Sequence, residues 1–283
     1  MSKKIIDSKS QLKAPLELVA SIIYGFWISR DLSSKLAKRD LIAQYRQSIL
    51  GYVWLVLLPV VNTIIWILIR KSGLLVNNGD ETLPYTLYVF SGTMVFQIFS
   101  EALQTPLNEI MNSKNIISKI NFPHEALISS GFIKAILNSS IRIIILMIIA
   151  SFFGFYPSYI FFYFPLLLIT IIFLGMAIGV VFIPLGVLFN DIQKVLPIIM
   201  QLLMFSSPVF LYTPKDKTSL LFKVFEINPL TKLLEFSRDI LANAQSTELG
   251  SLWLIIAIAL LTFIVFWSIY KIAIKILIER IGG

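Results

Sequence analysis

The 283-residue chain has no cysteine, a single histidine (His124) and few charges, with only 14% of its residues ionised. Without cysteine there are no disulfides, thiolate metal sites or Cys nucleophiles. One His with no acidic cluster beside it does not make a metal site either, so His124 is assigned a structural or interface role. No GxxxxGK[ST] phosphate loop, HExxH, GxSxG or paired-carboxylate arrangement occurs, so no catalytic residue, metal or cofactor is expected on this chain. No pair of segments carries the matched Gly/Pro interruptions of an inverted-repeat carrier. The first 48 residues lack the short apolar stretch and small-residue cleavage site of a secretory signal, which places the amino terminus in the cytoplasm.

What the chain has is apolar bulk. Hydrophobic residues make up 57% of it and aromatic residues 13%, with 22 Phe. A water-soluble core cannot absorb that much apolar surface, so the chain is read as an all-α membrane protein. Crossing about 30 Å of hydrocarbon takes roughly 20 mostly apolar residues. Residues 50–69 supply them without an ionisable side chain, and further spans are expected at 85–104, 128–153, 160–189, 195–212 and 252–272. Six crossings put both termini on one side. The arm before the first span and the alternate loops facing the same way carry fifteen Lys and Arg against seven on the other face, which makes the fifteen-rich side cytoplasmic. The net charge of +8 therefore reflects topology and anionic lipid rather than nucleic acid.

The organisation that follows is a cytoplasmic arm over 1–48, a six-helix domain over 49–273 and a short tail over 274–283. In the arm, Leu16, Val19, Ala20, Ile23 and Trp27 recur at spacings of three and four, the pattern of an amphipathic helix in the headgroup layer. A helix packed on protein is the alternative. Between the fifth and sixth spans, 206–241 reads as a broken, re-entrant outer-face element. Asn228 and Pro229 end one short helix and start another. An ordinary external loop with two surface helices is equally open.

Four separated segments carry a family resemblance. The first is RDLIAQYRQSILGYVW over 39–54, with Arg39, Asp40, Tyr45, Arg46, Leu50, Gly51 and Trp54, followed by Pro59. The second is Lys119, Phe122, Pro123 and Glu125 after the second span. The third is Asn190, Asp191 and Ile192 after the fourth, and the last is Asn228, Pro229 and Leu230 leading to Arg238. In this order the chain resembles the transmembrane subunit of bacterial polysaccharide ABC exporters, the type-2 permeases that move O-antigen, capsule and teichoic acid. The pattern departs at Asn190, where the family more often has Arg. The resemblance implies a homodimer with two cytoplasmic ATPase subunits that bind the ATP and Mg, an undecaprenyl-diphosphate-linked glycan as cargo, and the bacterial cytoplasmic (inner) membrane. An ABC type-2 permease for drugs or small hydrophobic solutes is the alternative cargo reading, and a non-transporting membrane scaffold the alternative class.

Candidate site residues fall into four groups. Arg39, Tyr45 and Arg46 sit at headgroup depth, where a diphosphate or ordinary anionic lipid would first be met. Lys134 and Arg142 lie inside the third span, and a charge there costs about 2.5–3.5 kcal/mol unless paired or functional. They are read as pathway charges or as structural partners of Glu101. Tyr52, Trp54, Trp66, Tyr88, Phe96, Phe99, Phe205, Phe210 and Tyr212 are the rings that would line a sugar conduit, although interfacial anchoring explains Trp54 and Tyr212 as well. Between the second and third spans, Asn112, Ser113 and Asn115 offer helix-start chemistry, and Ile116, Ile117 and Ile120 share a face. Residues 111–123 are therefore read as the cytoplasmic coupling helix that the resemblance implies, with Asn115, Ile116, Lys119, Phe122, Pro123 and Glu125 as the expected contact to the ATPase, the alternative being a loop helix lying on lipid.

Overall fold

A computed structural model of the chain describes residues 15–46, 49–73, 83–114, 125–156, 158–214, 216–243, 253, 255–268 and 270, with side chains up to residue 23 and that of Tyr45 left aside. Among these residues the structure is helical, with no strand. The helices are α1 (Pro15–Arg46), α2 (Trp54–Lys71), α3 (Tyr85–Asn112), α4 (Glu125–Phe152), α5 (Phe164–Leu188), α6 (Ile192–Phe205), α7 (Leu220–Ile227), α8 (Pro229–Ala242) and α9 (Ile255–Ser268). Short 3-10 turns lead into α2 and α5.

Three segments are long and apolar enough to cross a bilayer: Gly51–Lys71, Glu125–Phe152 and Tyr159–Leu188. They coincide with the expected first, third and fourth spans. Two others, the second and the fifth, differ from expectation. The second is one helix to Asn112, eight residues past the predicted end, where the polar residues that lower its hydropathy find partners on α4 and α6. The fifth is a helix of 14 residues only, about 21 Å long, and the chain unwinds after Phe205. In the sixth, α9 covers 14 described residues. The amphipathic helix predicted over 16–27 continues unbroken to Arg46, since the charged stretch after Trp27 contains good helix formers and no Gly or Pro. Trp27 is 67% exposed rather than packed.

The core forms around α3, which is buried along most of its length and packs against α2, α4, α5, α6 and α8. Its closest neighbour is α5. Gly175 and Gly179, spaced as GxxxG, let the two backbones meet: a Cβ on Gly179 would lie 2.1 Å from the Leu103 carbonyl oxygen, and one on Gly175 would lie 2.9 Å from that of Phe99. Gly186 meets Leu107 in the same way, so residue numbers rise together along both helices and α3 and α5 run parallel. This is the relation required of a second and a fourth span. α4 runs antiparallel to α3 and also contacts α5 and α1. α9 packs on α5 through Phe263, edge-on to Phe173 at 5.0 Å, and on α1 through Trp267, tilted against Phe26 at 4.7 Å.

The unwound chain after α6 is held by side chains. Tyr85 Oη donates to the Phe210 carbonyl (3.2 Å), and Tyr88 Oη reaches those of Pro208 (3.2 Å) and Leu211 (3.0 Å). Arg238, buried and stacked 3.4 Å from the Tyr88 ring centroid, donates Nη2 to the carbonyls of Pro208 (2.7 Å), Val209 (3.3 Å) and Tyr88 (3.3 Å). Asn228 donates to Ser206 O (3.1 Å) and Ser207 Oγ (2.7 Å), while its own oxygen caps α8 at the Leu230 amide (3.0 Å). Pro229 at the first position of α8 fits the predicted break. Gly92 makes room, since a Cβ there would sit 2.6 Å from Arg238 Nη2.

Gly179→Ala is expected to force α3 and α5 apart. Because the clash is with backbone, the loss should be about 1–3 kcal/mol, read as a lower unfolding temperature in detergent.

Candidate functional site

Two cavities lie on either side of the last turns of α1. The first is polar, about 500 Å³, and is enclosed by α1, α3 and α4, with Arg39, Asp40 and Gln44 facing Glu101, Thr105, Asn108, Glu109, Lys134 and Asn138. The second is an apolar groove of about 550 Å³ between α1 and α4, lined by Ala37, Leu41, Ile42, Ile133 and Leu137, with Ser34, Lys38, Arg46 and Tyr52 as its polar members. Arg39 and Arg46, grouped together from the sequence, thus belong to different cavities. Arg39 is paired with Asp40 at 2.8 Å, whereas Arg46 joins Lys38 on the apolar groove. Lys38 carries a signal that spacing alone could have raised: 38, 42 and 46 share one helical face. Tyr45 lies in α1 beside them.

The intramembrane cations form a ladder. On α3, Glu101 and Glu109 are eight residues apart, and on α4 so are Lys134 and Arg142; eight residues rise about 12 Å in a helix. Antiparallel packing sets each acid against one cation. Arg142 Nη1 pairs with Glu101 Oε2, whose other oxygen accepts from Asn138 Nδ2 at 2.6 Å. Lys134 Nζ pairs with Glu109 Oε1, and Ser130 Oγ donates to the second Glu109 oxygen at 3.4 Å. Lys134 also reaches Asp40 Oδ2 on α1 at 3.1 Å, so one ammonium ties three helices. Gly131 permits the approach, because a Cβ there would meet Thr105 Cγ2 at 2.4 Å and Glu109 Cγ at 3.0 Å. The Glu101 partnership was legible from sequence. Glu109 and Asp40 were not singled out as partners, though the matched spacing of eight was present.

The rings fall into separate groups. Trp66 stacks on Phe210 at 4.3 Å with Phe205 alongside at 6.3 Å, a cluster joining α2 to the end of α6. Phe205 remains half exposed and Phe210 is buried. Tyr88, Tyr85 and Tyr212 form a second cluster, with Tyr88 and Tyr212 4.4 Å apart and the Arg70 guanidinium 4.4 Å from the Tyr85 ring. Phe96 and Phe99 are buried in the core, where Phe99 lies at the α3–α5 contact. Trp54 and Tyr52 are exposed at the start of α2, and only Tyr52 lines the groove.

Of the expected ATPase contact, Asn115, Ile116, Lys119, Phe122 and Pro123 lie outside the described residues, as does His124. Glu125 opens α4 with its side chain against Gly25 of α1. At the edge of that segment Lys114 Nζ donates to Asn190 Oδ1 at 3.1 Å, and Gln193 donates to Asn108 at 3.0 Å, joining the end of α3 to the α5–α6 turn. Asn190, where the resembled family more often has Arg, thus accepts a bond from a lysine that a cation at that position would repel. Among the described residues no group of three or more metal-ligating side chains gathers.

Comparison with known proteins adds the following. The model of the ABC-2 type transporter family matches residues 34–242. The O-antigen export system permease protein RfbA of Myxococcus xanthus is 21% identical over 241 residues, covering 84% of this chain and 90% of the relative. RfbA of Klebsiella pneumoniae is 23% identical over 214 residues, covering 75% and 81%. The polysialic acid transport protein KpsM of Escherichia coli is 22% identical over 251 residues, covering 87% and 95%.

Arg142→Ala should leave Glu101 without its cation at low dielectric, a loss of roughly 3 kcal/mol, since Glu101 keeps some access to the cavity. Replacing both partners, Glu101→Leu with Arg142→Met, should recover most of it. Thermal unfolding of the two variants against the parent checks both directions.

Proposed function

The chain belongs to the ABC-2 type transporter family, and on that premise we propose that it is the permease subunit of an ATP-driven exporter of lipid-linked polysaccharide. In this reading two copies of the chain assemble with two cytoplasmic ATPases in the bacterial inner membrane, both termini face the cytoplasm, and six segments cross the bilayer. The cargo is an undecaprenyl-diphosphate-linked glycan of the O-antigen, capsule or teichoic-acid kind. The relatives named for O-antigen export and polysialic acid transport support the cargo class.

One observation on this chain carries the reading furthest: Lys38 and Arg46 stand on an apolar groove that opens beside the first span. An amphiphile with a phosphorylated head and a prenyl tail matches both halves of that surface. The cations supply charge-assisted hydrogen bonds to phosphate oxygens, and Leu41, Ile42, Ile133 and Leu137 supply contact for the chain. Tyr52 and Arg46 then hand the head toward α2 and α6, where Trp66 and the half-exposed Phe205 present ring faces to sugars. Lys134 and Arg142 are engaged in ion pairs in this conformation, so their part in the passage is to position α4 rather than to hold phosphate.

No covalent step is assigned to this chain. Its work is to move in response to the ATPases, and the segment 115–124, flanked by Lys114 and Glu125, is where their motion enters.

Two measurements test the reading. With the chain purified beside its ATPase in vesicles, lipid-linked glycan should stimulate ATP hydrolysis, and Lys38→Glu with Arg46→Glu should raise the concentration needed by about tenfold or more, since a charge-assisted bond is worth roughly 1.5–3 kcal/mol. Stimulation by drugs and not by glycan would refute the cargo. Separately, Lys114→Glu should weaken co-purification of the ATPase, and unchanged assembly would place the contact elsewhere.

A further inference from the structure

α1 is held to α4 by two kinds of contact. Up to residue 37 the contact is steric: Gly25, Ser29, Ser33 and Ala37 recur every four residues, the last three buried to within 1% exposure, and Gly25 lies against the Glu125 side chain. The serine hydroxyls donate to their own helix, Ser33 to the Ser29 carbonyl at 2.7 Å, so the face is small and internally satisfied. After Ala37 the contact changes character. No described α1 side chain beyond Asp40 is buried: Leu41 is half buried, and Ile42, Ala43, Gln44 and Arg46 are exposed. With the apolar groove on one side and the polar cavity on the other, the Asp40–Lys134 ion pair at 3.1 Å is, among the described residues, the ion pair that joins this end of the helix to α4.

That pair is built to come apart. If it opens, Asp40 keeps Arg39, whose Nε and Nη2 both lie 2.8 Å from Oδ1, and Lys134 keeps Glu109. No charge is stranded, and the polar cavity admits water to the separated groups. Arg142 and Glu101 differ, because opening that pair would leave an arginine only 9% exposed without its acid. The ladder between α3 and α4 is thus permanent, and the bond to α1 is exchangeable.

We propose that the Asp40–Lys134 ion pair is a releasable latch that positions the carboxyl end of α1, and the groove it borders, against the α3–α4 hairpin. Glu109 lies three residues before the end of α3 and Lys134 nine residues into α4, one on each side of the segment that joins the two helices. A displacement of the two helix ends moves the Glu109–Lys134 rung as a unit, and α1 follows only while the latch holds. Asp40 is a positioning residue for entry to the groove. Only the identity of what displaces the hairpin rests on the permease reading.

The absence of native cysteine makes the test clean. Nitroxides at Gln44→Cys and Ile144→Cys, in the full chain in lipid nanodiscs, report the distance from the end of α1 to α4 by pulsed electron resonance. The parent pair should give one main distance. Asp40→Asn should raise a longer-distance population about threefold, the ratio expected for a partly exposed ion pair, and Asp40→Glu should restore the parent distribution. In the complex trapped with ATP and vanadate, the parent pair should populate the same longer distance. An unchanged distribution in Asp40→Asn overturns the latch, as does loss of folded protein in that variant, because a releasable bond must be dispensable for folding. A trapped complex that keeps the short distance overturns its link to the hairpin. If no ATPase associates at all, the permease reading fails while the Asp40→Asn comparison still decides the latch.

Discussion

The register of α3 against α4 is set by two ion-pair rungs, Glu101 with Arg142 and Glu109 with Lys134, and the positions of the other helices follow from it. Sliding either helix by one turn would leave at least one charge facing hydrocarbon or another of its own sign, so a single alignment is acceptable in a low-dielectric medium. Gly131 fits that alignment by letting the backbones approach at the Thr105 and Glu109 level. With α3 fixed on one side, the glycines of α5 dock on the other. α3 becomes a buried mast with an ionic face toward α4 and a close-packed face toward α5.

The same requirement, that polar groups in a bilayer find partners in protein, explains the broken segment after α6. The helix ends there, and the carbonyls of Ser206, Pro208, Val209, Phe210 and Leu211 are met by Asn228, Arg238, Tyr85 and Tyr88. Arg238 is long enough to reach three carbonyls and flat enough to lie on a ring, two properties lysine lacks. The break ties the amino-terminal end of α3 to α8, so the chain between α6 and α8 is anchored to the mast through Tyr85, Tyr88 and Arg238.

At the other end of the molecule, α1 brings the groove and the polar cavity together. Its inner face is a stripe of small residues and its outer face is aromatic and basic, with Arg30 over Trp27 at 4.7 Å. The alternation of apolar residues over 16–27 identified a helix there but not its extent. That pattern stops where the helix turns from an apolar neighbour to a charged one, and propensity carries the helix onward. Arg39 and Arg46 looked equivalent because both precede the first span. A separation of seven residues is two turns, but the crossing of α4 puts the polar cavity on one flank of α1 and the groove on the other, and that crossing is a property of packing.

Membrane character, the first, third and fourth spans, the break at Asn228 and the family resemblance were all determined by the sequence alone. Each depends on local quantities: the length of an apolar run, the missing amide of a proline, the order of short motifs. The tertiary structure alone decided which acid meets which cation, that Phe96 and Phe99 are core rings while Phe205 stays open, that α6 stops at Phe205, and that α1 buries Ser29, Ser33 and Ala37 while Trp27 stays exposed. These outcomes depend on what lies across an interface, since the free energy of a charge, a ring or a bare carbonyl in a bilayer is set by its neighbour and not by its own identity.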